Sequence, residues 1–151
     1  MALCDLDVTK LHKISDQHGI KRRTTSAQEI LTDHSIDVVS ICSYDDQHTG
    51  QAITGLEHGK NLMVEKPLCL FPEDSERIVK AWEDSKVALT SNIILRASPG
   101  FVKLKEMIDD GMLGMIFCIE GDYLYGRQYK ITEGWRGDLD FYCKNWLDDA
   151  M

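Results

Sequence analysis

At 151 residues the chain is about one domain long, enough to bury a real core. It is 43% hydrophobic and 28% charged, the balance of a soluble globular protein. Lys and Arg number 17 against 25 Asp and Glu, and the resulting formal charge of -8 argues against nucleic-acid or anionic-membrane partners, which need a basic footprint.

Short apolar runs alternate with longer amphipathic ones along the chain. Ala2-Leu3-Cys4 reads as a short strand ending at Asp5. A helix is expected from about Val8 to His18, stopped by Gly19. Ile20 to Thr24 suits a short edge strand, with Lys21-Arg22-Arg23 as solvated surface. Ser26 and Glu29 have capping-box spacing ahead of a helix through Ile30 and Leu31. Ile36 to Cys42 is a β-branched run of strand length. Gln47 to His58 carries Ala52, Ile53 and Leu56 at helical spacing and closes at Gly59.

Asn61 to Val64 is the next strand, and Pro72 suits the first turn of the next helix. Ser75, Ile78, Val79 and Trp82 mark one face of that helix. Val87 to Ile94 reads as a strand, Ser98-Pro99 opens a helix stopped by Gly111, and Met115 to Tyr125 reads as a long strand. Strands alternating with helices imply βαβ units, and hence a mostly parallel α/β sheet with helices on both faces. The long last strand breaks this rhythm, so a second, sheet-based domain is expected to begin between Ser98 and Gly114.

The five cysteines are scattered, which suggests free thiols in a reducing compartment and no metal site. Cys4, Cys42 and Cys118 lie in apolar runs, where a cysteine is usually a small buried hydrophobe. No run approaches a membrane span, and the N-terminus lacks a signal-peptide layout. A cytoplasmic location is therefore expected.

Glu65-Lys66-Pro67 follows the Asn61–Val64 strand directly. Ligands of open α/β sheets bind beyond the carboxyl ends of the strands. Proline restricts its own backbone and the residue before it, so Lys66 becomes a positioned cation at that rim. An ammonium there stabilises charge developing on a carbonyl oxygen during hydride transfer. The competing reading is an ordinary surface lysine with Glu65 as its neighbour.

Asp5 ends the first strand. In dinucleotide-binding folds a carboxylate at the end of the second strand accepts hydrogen bonds from the adenosine ribose diol and repels a 2′-phosphate, so Asp5 in that role would favour NAD over NADP. It is equally a turn aspartate or helix cap. Ser43 to His48 follows the Ile36–Cys42 run and opens the next helix. Ser43, Asp45 and His48 are candidates to meet a cofactor there, although Asp45 and Asp46 also suit a plain helix cap. No Gly-x-Gly-x-x-Gly occurs in the chain, and only four residues precede Asp5. The phosphate loop, first strand and first helix of a dinucleotide fold are thus expected to be missing.

Asp37 through His48, Ala52 through Lys60 and Val64-Glu-Lys-Pro-Leu68 together resemble the Gfo/Idh/MocA oxidoreductases. The likeness continues through Asn92, Arg96, Pro99 and Phe101 to Gly114. It implies a partial Rossmann domain over residues 1–98. Residues 99–151 would then start a C-terminal substrate and dimerisation domain, with the chain truncated at both ends.

By this resemblance Lys66 contacts substrate and cofactor ribose and is the catalytic residue. Asp5, Ser43, Asp45, His48 and Glu65 join it as cofactor contacts. Asn92, Arg96, Trp135 and Arg136 face the substrate. The implied cofactor is NAD or NADP, the substrate is sugar- or polyol-like, and the full-length form is a homo-oligomer. Where the family often has Pro-Asn, this chain has Tyr44-Asp45, and nothing after Trp135 matches the family's later Asp–His segment. The chain alone is accordingly expected to be inactive. The rival reading is an inactive truncated product that serves as a binding or assembly module through its unpaired sheet edge.

Overall fold

The computed structural model describes residues 1–122 together with Leu124, Gly126, Tyr129 and Glu133. Two compact units meet in sequence at Asn92–Ile93. In the first, Ala2–Cys4 (β1) pairs in parallel with Arg22–Thr24 (β2), and Val8–Gln17 (α1) connects them. Asp7 starts α1, its carboxylate accepting from the backbone N–H of Thr9 and Lys10 at 3.0 and 3.1 Å. These bonds satisfy donors that the first helical turn leaves unpaired. Gly19 ends the helix with φ +65, a conformation that glycine adopts without a Cβ penalty.

Lys21, Arg22 and Arg23 are exposed as expected, and the two arginines also have specific partners. Arg22 pairs with Asp33, and Arg23 reaches Asp16 at 2.9 Å and the buried Ser15 hydroxyl at 3.0 Å. The short helix Ala27–Leu31 (α2) follows. Ser26 takes its N-cap position but makes no capping bond with its side chain. The expected capping box is therefore not formed. Thr24 Oγ1 instead accepts from the Ser26 N–H at 3.0 Å.

The second sheet is parallel, in the order β3-β4-β5, from Val38–Ile41 (β3), Asn61–Val64 (β4) and Leu89–Ser91 (β5). Its crossovers are His48–Glu57 (α3), entered through a 3-10 turn at Asp45–Gln47, and Pro72–Ser85 (α4). The core gathers Val39, Ile41, Leu62 and Val64 from the strands with Ala52, Leu56 and Ile78 from the helices. Each large aliphatic side chain there contributes roughly 1.5–3 kcal/mol by leaving water. α3 lies so close to β4 that a Cβ on Gly55 would stand 2.9 Å from Leu62 Cδ2. The opposite face of the sheet is open, with Val38 68% and Met63 40% exposed.

The inward face of α4 differs from the expected one. Ile78 is its one buried residue, flanked on the same side by half-buried Asp74, Ala81 and Ser85, whereas Val79 and Trp82 are exposed. Trp82 lies over the turn into β5 and donates its indole N–H to Val87 O at 2.9 Å, which occupies its one polar atom. β5 is also shorter than the Val87–Ile94 run, because Ile94 enters a 3-10 turn.

The amino edge of the sheet is tied by side chains. Asn61 accepts from Ala88 N at 3.0 Å and donates to Asp37 O at 3.1 Å, bridging the approaches to both neighbouring strands. The buried Lys60 ammonium donates to Asp33 O at 2.6 Å.

The second unit contains the 3-10 turn Ile94–Ala97 and the helix Pro99–Asp109 (α5), which ends before Gly111 at φ +70. The strand expected from Met115 does not form over residues 115–122. None of the described strands pairs with that stretch, and strand propensity without a partner is not enough to hold one. Cys42 and Cys118 are exposed rather than buried, and Cys4 is half-buried. Among the described residues no helix is long and apolar enough to cross a membrane, and no cluster of His, Cys, Asp and Glu has the makings of a metal site.

Candidate functional site

Parallel register brings three strand ends to one edge, because Ile41 stands opposite Val64 and Val64 opposite Ser91. The ladder continues one residue further, with Glu65 N donating to Ile41 O and Asn92 N to Val64 O, each at 2.9 Å. The chain then diverges into the Cys42–Gln47 and Glu65–Leu68 connections and Asn92. This is the carboxyl edge, where open α/β sheets take ligands.

Glu65 and Asn92 are brought together. The Asn92 side-chain amide donates to Glu65 Oε1 at 2.6 Å, and the Lys66 backbone N–H donates to Oε2 at 3.1 Å. The Asn92 bond does most to hold the Glu65 carboxyl below its ordinary pKa, followed by the Lys66 N–H, with the Lys66 and His48 side chains adding to it. Glu65 thus stays ionised and clamps the backbone of the next residue. Lys66 is exposed, and its ammonium forms no ion pair among the described residues. The Lys66–Pro67 peptide bond is cis.

The sequence points His48 at a cofactor, and the structure corrects this. His48 is fully buried at the start of α3. Its Nδ1 lies 2.7 Å from Pro67 O and its Nε2 3.1 Å from Ser43 O, so both ring nitrogens face main-chain carbonyls. Such a ring has no polar atom left for a ligand. Its burial leaves a trace in the sequence: His48, Ala52 and Leu56 are spaced by four, one face of a helix.

Ser43 is exposed and donates its hydroxyl to Gln51 Oε1 at 2.9 Å. Asp45 opens the 3-10 turn at the same edge. Asp5 is exposed at the end of β1, where Oδ1 accepts from Asp7 N at 2.8 Å. That bond leaves acceptor capacity on the carboxylate, as a ribose diol requires. Arg96 is exposed in the second unit. Trp135 and Arg136 lie outside the described residues.

The sequence gives no sign that the Pro67 carbonyl is a partner of His48. Nor does it reveal the bond from Thr49 Oγ1 to Asp74 Oδ2 at 3.2 Å, which joins the first turns of α3 and α4. The edge therefore combines an ionised, clamped carboxylate with an exposed ammonium, while Asp5 ends β1 in the other sheet. In donor and acceptor chemistry alone, Lys66 suits a polar oxygen on the nicotinamide side and Asp5 suits a ribose diol. No glycine-rich turn in the sequence offers itself for the pyrophosphate.

Comparison with known proteins gives a consistent picture. The model of an oxidoreductase family with an NAD-binding Rossmann fold matches residues 1–93. Oxidoreductase P35 of Formosa agariphila is 28% identical over 111 residues, which are 74% of this chain and 35% of that protein. The myo-inositol 2-dehydrogenase of Thermotoga maritima is 26% identical over 113 residues, 75% of this chain and 34% of that protein. A solved levoglucosan dehydrogenase, in complex with NADH and levoglucosan, superposes with TM-score 0.69 at 25% identity, covering 76% of this chain and 31% of its own. The chain thus spans about a third of the length of the curated relatives it matches. The WlbA dehydrogenase of Bordetella pertussis shares the fold with TM-score 0.78 at 24% identity, over 94% of this chain and 41% of its own.

Proposed function

The chain belongs to the Gfo/Idh/MocA oxidoreductases, whose family model fills residues 1–93 with an NAD-binding Rossmann fold; from that premise we propose that its carboxyl edge forms the nicotinamide side of an NAD(P)-dependent oxidoreductase acting on a sugar- or polyol-like substrate. The observation that carries this reading is Lys66, exposed where β4 ends, with its backbone N–H held by the Glu65 carboxylate. Relatives named for inositol and levoglucosan support the substrate class.

When bound, nicotinamide supplies the hydride acceptor or donor. The chain's own residues bind and polarise. Lys66 places its ammonium against the substrate oxygen and stabilises the negative charge that grows there as the carbonyl is reduced. In the reverse direction it orients the hydroxyl. Asp5 accepts from the adenosine ribose, and its charge favours NAD over NADP. Ser43 and Asp45 border the cofactor from the β3 side. Asn92 acts through Glu65, while the family likeness assigns substrate contact to Arg96, Trp135 and Arg136. The enzyme is cytoplasmic, and its full-length form is a homo-oligomer.

Titration with NADH, followed by nicotinamide fluorescence, tests the cofactor half of the reading. Saturable uptake is expected, and its absence sinks the proposal. The chain alone is expected to give no turnover; in a longer form that also carries a phosphate loop, hydride transfer with a polyol panel is expected to slow by about 10²–10³-fold in Lys66→Ala, the scale seen when one transition-state donor is removed. A second reading, an assembly module, is supported by the open sheet face at Val38 and Met63. Self-association in size-exclusion chromatography without NADH uptake would favour it.

A further inference from the structure

His48 spans two connections at the carboxyl edge. Its Nδ1 meets Pro67 O at 2.7 Å, one residue beyond Lys66, and its Nε2 meets Ser43 O at 3.1 Å, in the connection leaving β3. A carbonyl oxygen only accepts, so each bond needs an N–H from the ring. A neutral imidazole supplies one and an imidazolium supplies two. The ring is fully buried, so water does not replace either bond. Thr49 ties the same helical turn to Asp74 of α4, and Arg77 holds Asp74 at 2.8 Å. The ring is therefore anchored on one side and grips the Lys66–Pro67 backbone on the other.

We propose that His48 is a positioning residue for Lys66: its Nδ1–H holds the Pro67 carbonyl and thereby fixes where the Lys66 ammonium stands. The inference rests on the reading of Lys66 as the nicotinamide-side cation. Plain core packing would need only the ring's volume. Positioning needs a donor at the Nδ1 place.

Three substitutions separate these demands. His48→Phe keeps the ring and loses both donors. His48→Asn keeps an amide donor near Nδ1, and His48→Gln keeps one near Nε2. In amide NMR spectra of the chain, Glu65, Lys66 and Leu68 are expected to move in the Phe and Gln variants and to stay near wild type in Asn. The amides of β1 and β2 are expected to stay put in all three. NADH affinity is expected to fall about tenfold in Phe and Gln, the scale of one buried hydrogen bond, and to recover in Asn. Adding Lys66→Ala to His48→Phe is expected to cost nothing beyond Lys66→Ala alone, since the histidine acts through the lysine.

Wild-type affinity and unmoved Lys66 signals in His48→Phe would overturn the proposal. Recovery in Gln rather than Asn would do so too, as would additive losses in the double variant. Should His48→Phe fail to fold, the Asn and Gln pair decides. Should wild type take up no NADH, the cofactor reading falls, and the amide shifts alone judge His48.

Discussion

The side-chain amide of Asn92, just past the end of β5, donates to Glu65 Oε1 at 2.6 Å, just past the end of β4. This bond is the largest cause of the lowered Glu65 pKa. Asn92→Ala is expected to raise the Glu65 carboxyl toward its ordinary value, read from the pH dependence of its side-chain carbon signal. The sign for stability follows by linkage. A carboxyl lowered in the folded state contributes fully above its unfolded pKa. That contribution is lost as pH falls through the lowered folded value. Asn92→Ala should flatten this acid limb, and an unchanged Glu65 titration would refute the assignment.

Asp7 gives the same sign at a different place. Its carboxyl is lowered chiefly by the Lys10 backbone N–H at the start of α1. Helix α1 is expected to lose its cap as acid protonates Asp7, below the ordinary carboxylate range. Asp7→Asn keeps an oxygen acceptor without the titration. Amide exchange at Thr9 and Lys10 should therefore quicken in acid for wild type but not for Asp7→Asn.

Gly55→Ala sets two effects against each other. Alanine gains about 1 kcal/mol of helix propensity over glycine. The added Cβ would stand 2.9 Å from Leu62 Cδ2 and 3.3 Å from Leu31 Cδ2, both on buried side chains. Overpacking of this kind costs about 1–3 kcal/mol. Net destabilisation of roughly 1 kcal/mol is expected in urea unfolding, on those two ranges. A more stable variant would show that the leucines yield.

Leu56 and Val38 should behave oppositely. Leu56 is 1% exposed between α3 and the sheet, so Leu56→Ala is expected to cost about 2–5 kcal/mol, cavity included. Val38 is 68% exposed. Val38→Thr should fall within about 0.5 kcal/mol of wild type. Urea midpoints with unchanged slopes would measure both.

Periodicity made the alternation of strands and helices readable, since β3, β4 and α3 owe their form to apolar spacing. Pro72 and Gly19 marked helix ends because their backbone preferences are local. The α4 face was misjudged because Trp82 and Val79 are large and apolar, yet the burial follows Asp74, Ile78, Ala81 and Ser85. The Ser26–Glu29 spacing matched a capping box, but Thr24 took the Ser26 N–H instead. The exposed position of Lys66 just beyond β4 was legible from its place after a strand. The inward turn of His48 left its four-residue spacing with Ala52 and Leu56, but its hydrogen-bond partner was hidden because that carbonyl lies 19 residues away. Such a contact is written in the tertiary fold and leaves no local signature.

Asn61 and Lys60 stitch the amino edge of the second sheet to main-chain atoms around it. That edge is a floor whose height cannot drift without breaking several bonds at once. Sequence change is therefore better tolerated at the opposite rim, where residues 42–47, 65–69 and 92 can be exchanged while the strands beneath keep their alignment. A library confined to those positions should retain far more folded members than one of equal size spread over residues 33–37, 60–61 and 86–88.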